Sequence, residues 1–324
     1  MRTTRLGLVS LVLGLAAPLV TPVPAATRIE KDLALAPGGR LILDADAGEI
    51  SVTGGSPSGV HLVITSDRDD LEQRFAFTFE ERSGEVEIAA ERKGKDGLLG
   101  FLSGWSFGGQ IKFEVRVPTA TSLRLDTAGG SIRVAAVEGA AELDTSGGSI
   151  EVHDLAGDLL ADTSGGSIRI ARVGGDVTAD TSGGSIHVEE VDGRASADTS
   201  GGSIRMRAIS GDVVADTSGG SIHVQDAGGR VEADTSGGSV EVSFTPGNAR
   251  GGALSASGGG VTVTLDPGVG LEIDAEASGG RVACDLAVAG RGQRSDSSLR
   301  GPLGSGGEPL RLRSSGGSIR IRSL

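Results

Sequence analysis

The stretch that decides the fold runs from Asp126 to about Ser243, and it opens DTAGGSIRVAAVEGAAELDTSGGSIEVHDLAGDLLADTSGGSIRI over residues 126–170. The motif D-T-S-G-G-S recurs seven times at a constant spacing of 18 residues, with Ala128 replacing Ser in the first copy. Its first residues are Asp126, Asp144, Asp162, Asp180, Asp198, Asp216 and Asp234. Because chance does not hold such a register, this region is a tandem structural repeat.

Each motif is followed by apolar residues at alternate positions, as in Ile150 and Val152. Alternation with period 2 predicts a β-strand with those side chains on one face. A further apolar residue comes three positions later, here Leu155, and then a glycine and a second short strand such as residues 176–181. Each repeat is therefore predicted to be two short strands joined by two glycine-assisted turns.

One repeat cannot fold alone. Its four or five inward side chains contribute roughly 1.5–3 kcal/mol each, whereas ordering the backbone costs about 1–2 kcal/mol per residue. Stacked repeats supply each other with hydrogen bonds and core, so we predict an all-β chain whose centre is a single-stranded β-helix, or β-solenoid, of parallel strands. A left-handed hexapeptide helix also has this period. It needs apolar residues every six positions, so the spacing of two, three and about four favours a right-handed or flattened β-helix.

The flanks are less regular. Residues 26–124 contain alternating segments such as 74–79 and 111–117, and we interpret them as an N-terminal β cap with degenerate first rungs, residues 46–52 forming a half-rung. Residues 125–245 form the regular solenoid. Residues 246–324 repeat the glycine motif at altered spacing, which predicts irregular rungs with insertions, the polar insert 291–308 being an excursion loop.

Residues 1–25 have the pattern of a secretory signal peptide, with Arg2 and Arg5 before an apolar run and small residues at the expected cleavage site. This predicts an exported protein that is periplasmic, on the cell surface or extracellular. No stretch of the mature chain approaches the roughly 20 apolar residues of a transmembrane helix. Cys284 is the only cysteine, so no intramolecular disulfide is expected.

The chain is acidic. Its formal net charge is −13, and loss of the two leader arginines makes it −15, which argues against nucleic acid and anionic lipid as partners. A Gly-rich segment holds the only tryptophan, Trp105, with Phe101 and Phe107. These aromatic residues could form a contact loop. We favour the alternative that they fold back over the open end of the solenoid, because capping creates a demand for apolar surface.

The seven repeat aspartates have two interpretations. Carboxylates stacked about 4.8 Å apart repel one another by nearly 1 kcal/mol per pair in a water-like dielectric. Bound calcium could offset this repulsion and stiffen the solenoid. We favour structural Asx turns, in which each aspartate accepts hydrogen bonds from its own turn, because the G-G-x-G-x-D pattern of calcium-bound β-rolls is absent. No metal or cofactor is predicted. If these aspartates point outward, the neighbouring threonines, Thr127 to Thr235, point inward.

The outer column of the other strand has mixed charge, and it consists of Arg133, Glu151, Arg169, His187, Arg205, His223 and Glu241. We interpret it as cross-rung ion pairing and solubility. Catalysis needs unlike residues that converge on one spot, whereas the solenoid is monotonous and the chain has no tyrosine. We therefore predict no enzymatic activity and no catalytic residues.

The run VRVPTATSLRLDTAGGSIRVAAVEGAAELDTSGGSI, from Val115 to Ile150, resembles the putative bacterial adhesin family of exported β-solenoid domains, a domain of unknown function (type 4097). The resemblance covers most of the mature chain. It implies a right-handed β-helix in the cell envelope, with no catalytic residues to carry over. We expect a non-enzymatic adhesin or binding scaffold with an envelope, glycan or protein ligand. The alternatives are an envelope polysaccharide-binding or polysaccharide-processing β-helix protein and a calcium-stiffened rod.

Overall fold

The computed structural model describes residues 27–94, 110–288 and 294–324. The N-terminal part contains one short helix, α1 (Leu71–Arg74), among strands. The strands are β1 (Thr27–Leu33), β2 (Arg40–Ala45), β3 (Glu49–Gly54), β4 (Val60–Ser66), β5 (Phe75–Arg82), β6 (Glu85–Arg92) and β7 (Ile111–Val117).

The repeat region consists of strands of five or six residues. They are β8 (Ser122–Thr127), β9 (Ile132–Val137), β10 (Ala141–Thr145), β11 (Ile150–Leu155), β12 (Leu159–Thr163), β13 (Ile168–Val173), β14 (Val177–Thr181), β15 (Ile186–Val191), β16 (Ala195–Thr199), β17 (Ile204–Ile209), β18 (Val213–Thr217), β19 (Ile222–Ala227), β20 (Val231–Thr235) and β21 (Val240–Phe244). The remaining strands are β22 (Gly252–Ala256), β23 (Val261–Leu265), β24 (Leu271–Ala277), β25 (Val282–Cys284), β26 (Arg294–Ser295), β27 (Ser298–Leu303), β28 (Glu308–Ser314) and β29 (Ile319–Ser323).

The strands form two long sheets. Sheet A contains β9, β11, β13 and their equivalents, and sheet B contains β8, β10, β12 and theirs. Neighbours within the repeat are parallel and in register at 18 residues, so that Asp144 pairs with Asp126 on one side and Asp162 on the other. Each rung thus contributes one strand to each sheet. The predicted β-solenoid is confirmed, in its flattened form with two sheets facing each other across one core.

Apolar side chains of both sheets fill the space between them. A typical rung buries Ile186, Val188 and Val191 from sheet A and Ala195 and Ala197 from sheet B. The threonine that ends each sheet B strand is also buried, as the alternation predicts.

The step of three residues in sheet A has a backbone cause. The residue before the third apolar position lies in the left-handed region, with φ between 55° and 58°, in Ala136, Asp154, Arg172, Glu190, Ala208 and Asp226. A single left-handed residue turns the chain so that the next side chain points inward again. L-residues lose about 1–2 kcal/mol in this conformation, so each of these six rungs stores strain at this corner.

The second glycine of each G-G-S turn is required by packing. At Gly184 a Cβ atom would lie 1.9 Å from the carbonyl oxygen of Gly166 in the preceding rung, whereas at Gly183 the nearest atom would be 3.6 Å away. Neither residue has positive φ. Gly183 and Gly184 therefore have different roles, and in this turn only the second glycine sets the contact distance between rungs.

Antiparallel strands cover the N-terminal end. Strands β1 and β4 extend sheet A beyond β7, and β5 extends sheet B beyond β6. The segment that we predicted as a half-rung belongs to a whole rung, β2 and β3, which pairs in parallel with β8 and β9.

The C-terminal rungs are not stacked in chain order. Strands β28 and β29, the last in the chain, lie between the rung of β22 and β23 and the outer pair β24 and β25. The predicted excursion loop contains strands, because β27 pairs antiparallel with β24 and with β26. Within the described ranges, no helix is long and apolar enough to cross a membrane.

Candidate functional site

The outward face of sheet B carries a ladder of carboxylates. The seven repeat aspartates lie in register on consecutive strands, and Asp44 of β2 pairs with Asp126 and extends the ladder by one rung. The next strand in the sheet places Ser255 beside Asp234. We call these eight aspartates the Asp ladder. At the usual strand spacing, neighbouring residues are about 4.8 Å apart.

Threonine, not aspartate, organises the turns. The Oγ1 of Thr199 donates to the carbonyl oxygen of Gly184 in the preceding rung at 2.8 Å and accepts the backbone N–H of Gly202 in its own turn at 3.2 Å. The same two bonds recur at Thr145, Thr163, Thr181, Thr217 and Thr235.

The expected Asx turns are therefore wrong. Strand alternation turns the aspartate outward and the threonine toward the interior, where its hydroxyl meets the turn. The seven repeat aspartates, from Asp126 to Asp234, form no hydrogen bond and no ion pair with any residue in the described part of the chain.

The environment of four aspartates in the Asp ladder disfavours ionisation. Partial burial raises the pKa of Asp126, Asp144, Asp180 and Asp216, and the charges of neighbouring aspartates raise it further. Both causes act in the same direction, since each makes a carboxylate less stable than a carboxylic acid. The ladder is thus a row of exposed and half-exposed carboxyl groups on the outward face of sheet B.

The described residues contain no group of three or more His, Cys, Asp or Glu side chains placed to hold a metal ion. His187 and His223 lie two rungs apart in the same column, about 10 Å at the usual strand spacing, and each has its own acidic neighbour. His153 lies beside Glu151.

Ion pairs occupy most of the outward face of sheet A. Glu151 lies 3.4 Å from Arg133 and 3.0 Å from His153, and the hydrogen bond with His153 is the main cause that lowers the pKa of Glu151. Glu189 accepts from Arg207 at 2.8 Å and lies 2.7 Å from His187; these contacts lower its pKa in that order of importance. The predicted cross-rung pairing is therefore present at these positions.

Two cations of the same face have no such partner. Arg169 and Arg205 are exposed, and neither guanidinium has an acidic group within 4.0 Å in the part of the chain that the structure describes. The sequence places both in a column of mixed charge, which predicts neutralisation by neighbours. Whether a neighbouring acidic side chain is already paired with another cation depends on side-chain geometry. The sequence does not show this geometry.

The predicted contact loop, Phe101, Trp105 and Phe107, lies outside the described residues, as does the leader, residues 1–25. Both stay predictions.

The model of the Toastrack DUF4097 family matches residues 40–322. Three solved structures resemble the chain over nearly their whole length. A putative adhesin from Bacteroides fragilis has 12% identity and a TM-score of 0.37, with 92% of this chain and 98% of that chain covered. A putative lipid binding protein from Parabacteroides distasonis has 15% identity and a TM-score of 0.42, with 91% and 96% covered. A putative adhesin from the same organism has 11% identity and a TM-score of 0.43, with 91% and 97% covered. No curated protein matches the chain.

Proposed function

We propose, from the premise that the chain belongs to the Toastrack DUF4097 family, that it is an exported, non-enzymatic β-solenoid that acts in the cell envelope as an adhesion or binding scaffold. The observation that carries the proposal is the repeated display of outward side chains. The same carboxylate is presented on eight successive rungs, in register and without protein partners among the described residues of the repeat. Such a face makes many equal, weak contacts rather than one specialised contact.

Equal contacts at fixed spacing favour a repetitive ligand. Each added contact with the same ligand is intramolecular, so a row of individually weak sites binds a polymer or a cell surface far more tightly than one site does. The buried threonine and glycine ladders support this role because they hold the rungs at constant separation. The signal peptide pattern supports export to a compartment where such ligands occur.

The experiment that tests the proposal measures binding of the purified mature chain, residues 26–324, to intact bacterial cells and isolated envelopes. The triple variant Asp162→Asn, Asp180→Asn and Asp198→Asn removes three central carboxylates, and Glu85→Gln, Glu87→Gln and Glu91→Gln is the matched control outside the ladder. Saturable binding of the parent protein is the expected result. Its absence from cells and envelopes alike would overturn the proposal. Binding that the ladder variant alone weakens would assign the contact to the Asp ladder.

A further inference from the structure

One column of outward side chains on sheet A changes from acidic to basic and back to acidic along the solenoid. We call Arg169, His187, Arg205 and His223 the basic stripe, since they occupy the same outward position on four consecutive strands. The rung before the stripe presents Glu151 and the rung after it presents Glu241. The stripe is therefore a short basic segment bounded at both ends by acid.

The neighbouring column pairs with His187 of the stripe but leaves its two arginines without an acidic partner among the described residues. Its residues on the same four strands are Ala171, Glu189, Arg207 and Gln225. Besides the two histidines, these two columns hold three arginines and one glutamate on the four strands, and that glutamate is already engaged by Arg207 and His187. The guanidinium groups of Arg169 and Arg205 remain available to a ligand.

We propose that the basic stripe binds a linear anionic polysaccharide of the β-1,4-linked uronate type, with one sugar carboxylate on Arg169 and another on Arg205. This rests on the proposed function, for which it names the ligand class. Arginine suits the role because its planar fork donates two parallel hydrogen bonds to a carboxylate.

The spacing of the two arginines fits such a chain. They lie two rungs apart, about 10 Å at the usual strand spacing. In an extended β-1,4-linked chain successive sugars are rotated by half a turn, so carboxylates return to the same side at every second ring, an interval of similar length. The four strands pair in parallel and in register, so the column is a regular row that an extended chain can follow.

The border of the stripe favours a narrow ligand. The corner beyond the neighbouring column holds exposed Glu190 and Asp226, with Arg172 paired to Asp154, and Glu151 and Glu241 close the ends of the stripe. A nucleic acid duplex or an anionic membrane is wider than the stripe and would meet these carboxylates. The Asp ladder belongs to the opposite sheet, about 10 Å behind, which exceeds the Debye length of about 8 Å at physiological salt.

The test is isothermal titration of the mature chain with a short β-1,4-linked mannuronate oligomer and with a guluronate oligomer of equal length, whose chain shape and carboxylate spacing differ. The variants are Arg169→Gln with Arg205→Gln and, as a control of equal charge, Arg194→Gln with Arg311→Gln. We expect the mannuronate oligomer to bind the parent more tightly than the guluronate oligomer. The stripe variant should raise its Kd about tenfold, with no such change in the control.

Equal Kd values for both oligomers, equal losses in the two variants, or no binding to the parent would each overturn the inference. Sedimentation of the parent at low salt tests whether the stripe instead binds a second copy of the chain. Self-association that salt weakens and the stripe variant abolishes would also overturn the inference. The envelope assay is read separately. Envelope binding without mannuronate binding contradicts only this inference, and mannuronate binding without envelope binding contradicts only the proposed function.

Discussion

Two single alanine substitutions, at the adjacent glycines Gly183 and Gly184, test how the rungs are held together. In Gly184→Ala the new methyl group would lie 1.9 Å from the carbonyl oxygen of Gly166, and contacts of Cβ below 3.0 Å do not occur in folded proteins. The rungs must therefore separate locally by at least about 1.1 Å. In Gly183→Ala the nearest atom lies 3.6 Å away, an ordinary contact.

The magnitudes follow from these distances. Overpacking of a filled site costs typically 1–3 kcal/mol, and the separation also weakens neighbouring hydrogen bonds such as Ser185 N–H to Ser167 Oγ, each worth about 0.5–1.5 kcal/mol. We expect Gly184→Ala to lower the free energy of unfolding by about 2–4 kcal/mol. Gly183→Ala should raise it by about 0.4–1 kcal/mol, because alanine restricts the unfolded chain without strain in the folded one.

The assay is urea unfolding of the mature chain followed by circular dichroism, with both variants and the parent measured together. The direction of the two effects matters more than their size, since a long repeat array need not unfold in one step. Equal midpoints for the two variants, or a lower midpoint for Gly183→Ala than for Gly184→Ala, would refute the packing explanation.

Three further predictions concern the buried threonines, the left-handed corner and the Asp ladder. Thr199→Val leaves the carbonyl of Gly184 and the N–H of Gly202 unsatisfied, so urea unfolding should show a loss of about 2–4 kcal/mol, whereas Thr199→Ser keeps both bonds and should lose about 1 kcal/mol. Ala208→Gly relieves left-handed strain and should gain about 0.5–1 kcal/mol; a loss of stability would contradict the assignment of strain to that corner. Burial, then the charges of Asp162 and Asp198, raise the pKa of Asp180 above its unfolded value, so ionisation destabilises the folded chain. Asp180→Asn should therefore stabilise at neutral pH by less than about 1 kcal/mol. The gain should decline as the pH falls through the raised pKa and be absent below the unfolded pKa, which unfolding at neutral and at acidic pH would show.

The repeat itself was predictable because period and alternation determine it. An aspartate followed by a threonine must point to opposite faces of a strand, so the outward Asp ladder and the buried threonines follow from the motif. The motif did not show whether aspartate or threonine makes the hydrogen bonds of the turn. The Asx-turn hypothesis assigned the turn hydrogen bonds to aspartate, but they depend on which side chain reaches the turn from inside.

Other features depend on contacts between distant segments. The left-handed corner holds alanine, aspartate, arginine or glutamate, residue types that give no signal of positive φ. The need for Gly184 arises from a carbonyl group 18 residues earlier. The position of β28 and β29 inside the stack is set by which free strand edges remain. The unpaired state of Arg169 is set by the rotamers of its neighbours.

The measurement that tests the central claim most directly is envelope binding by a variant that lacks one whole repeat, residues 144–161. A scaffold of equivalent rungs should lose one rung, about 4.8 Å of length, keep its circular dichroism spectrum and bind envelopes with only a modest loss of affinity. Complete loss of envelope binding in a variant that retains the parent spectrum would contradict the claim, because it would locate function in one site rather than in the repeated face.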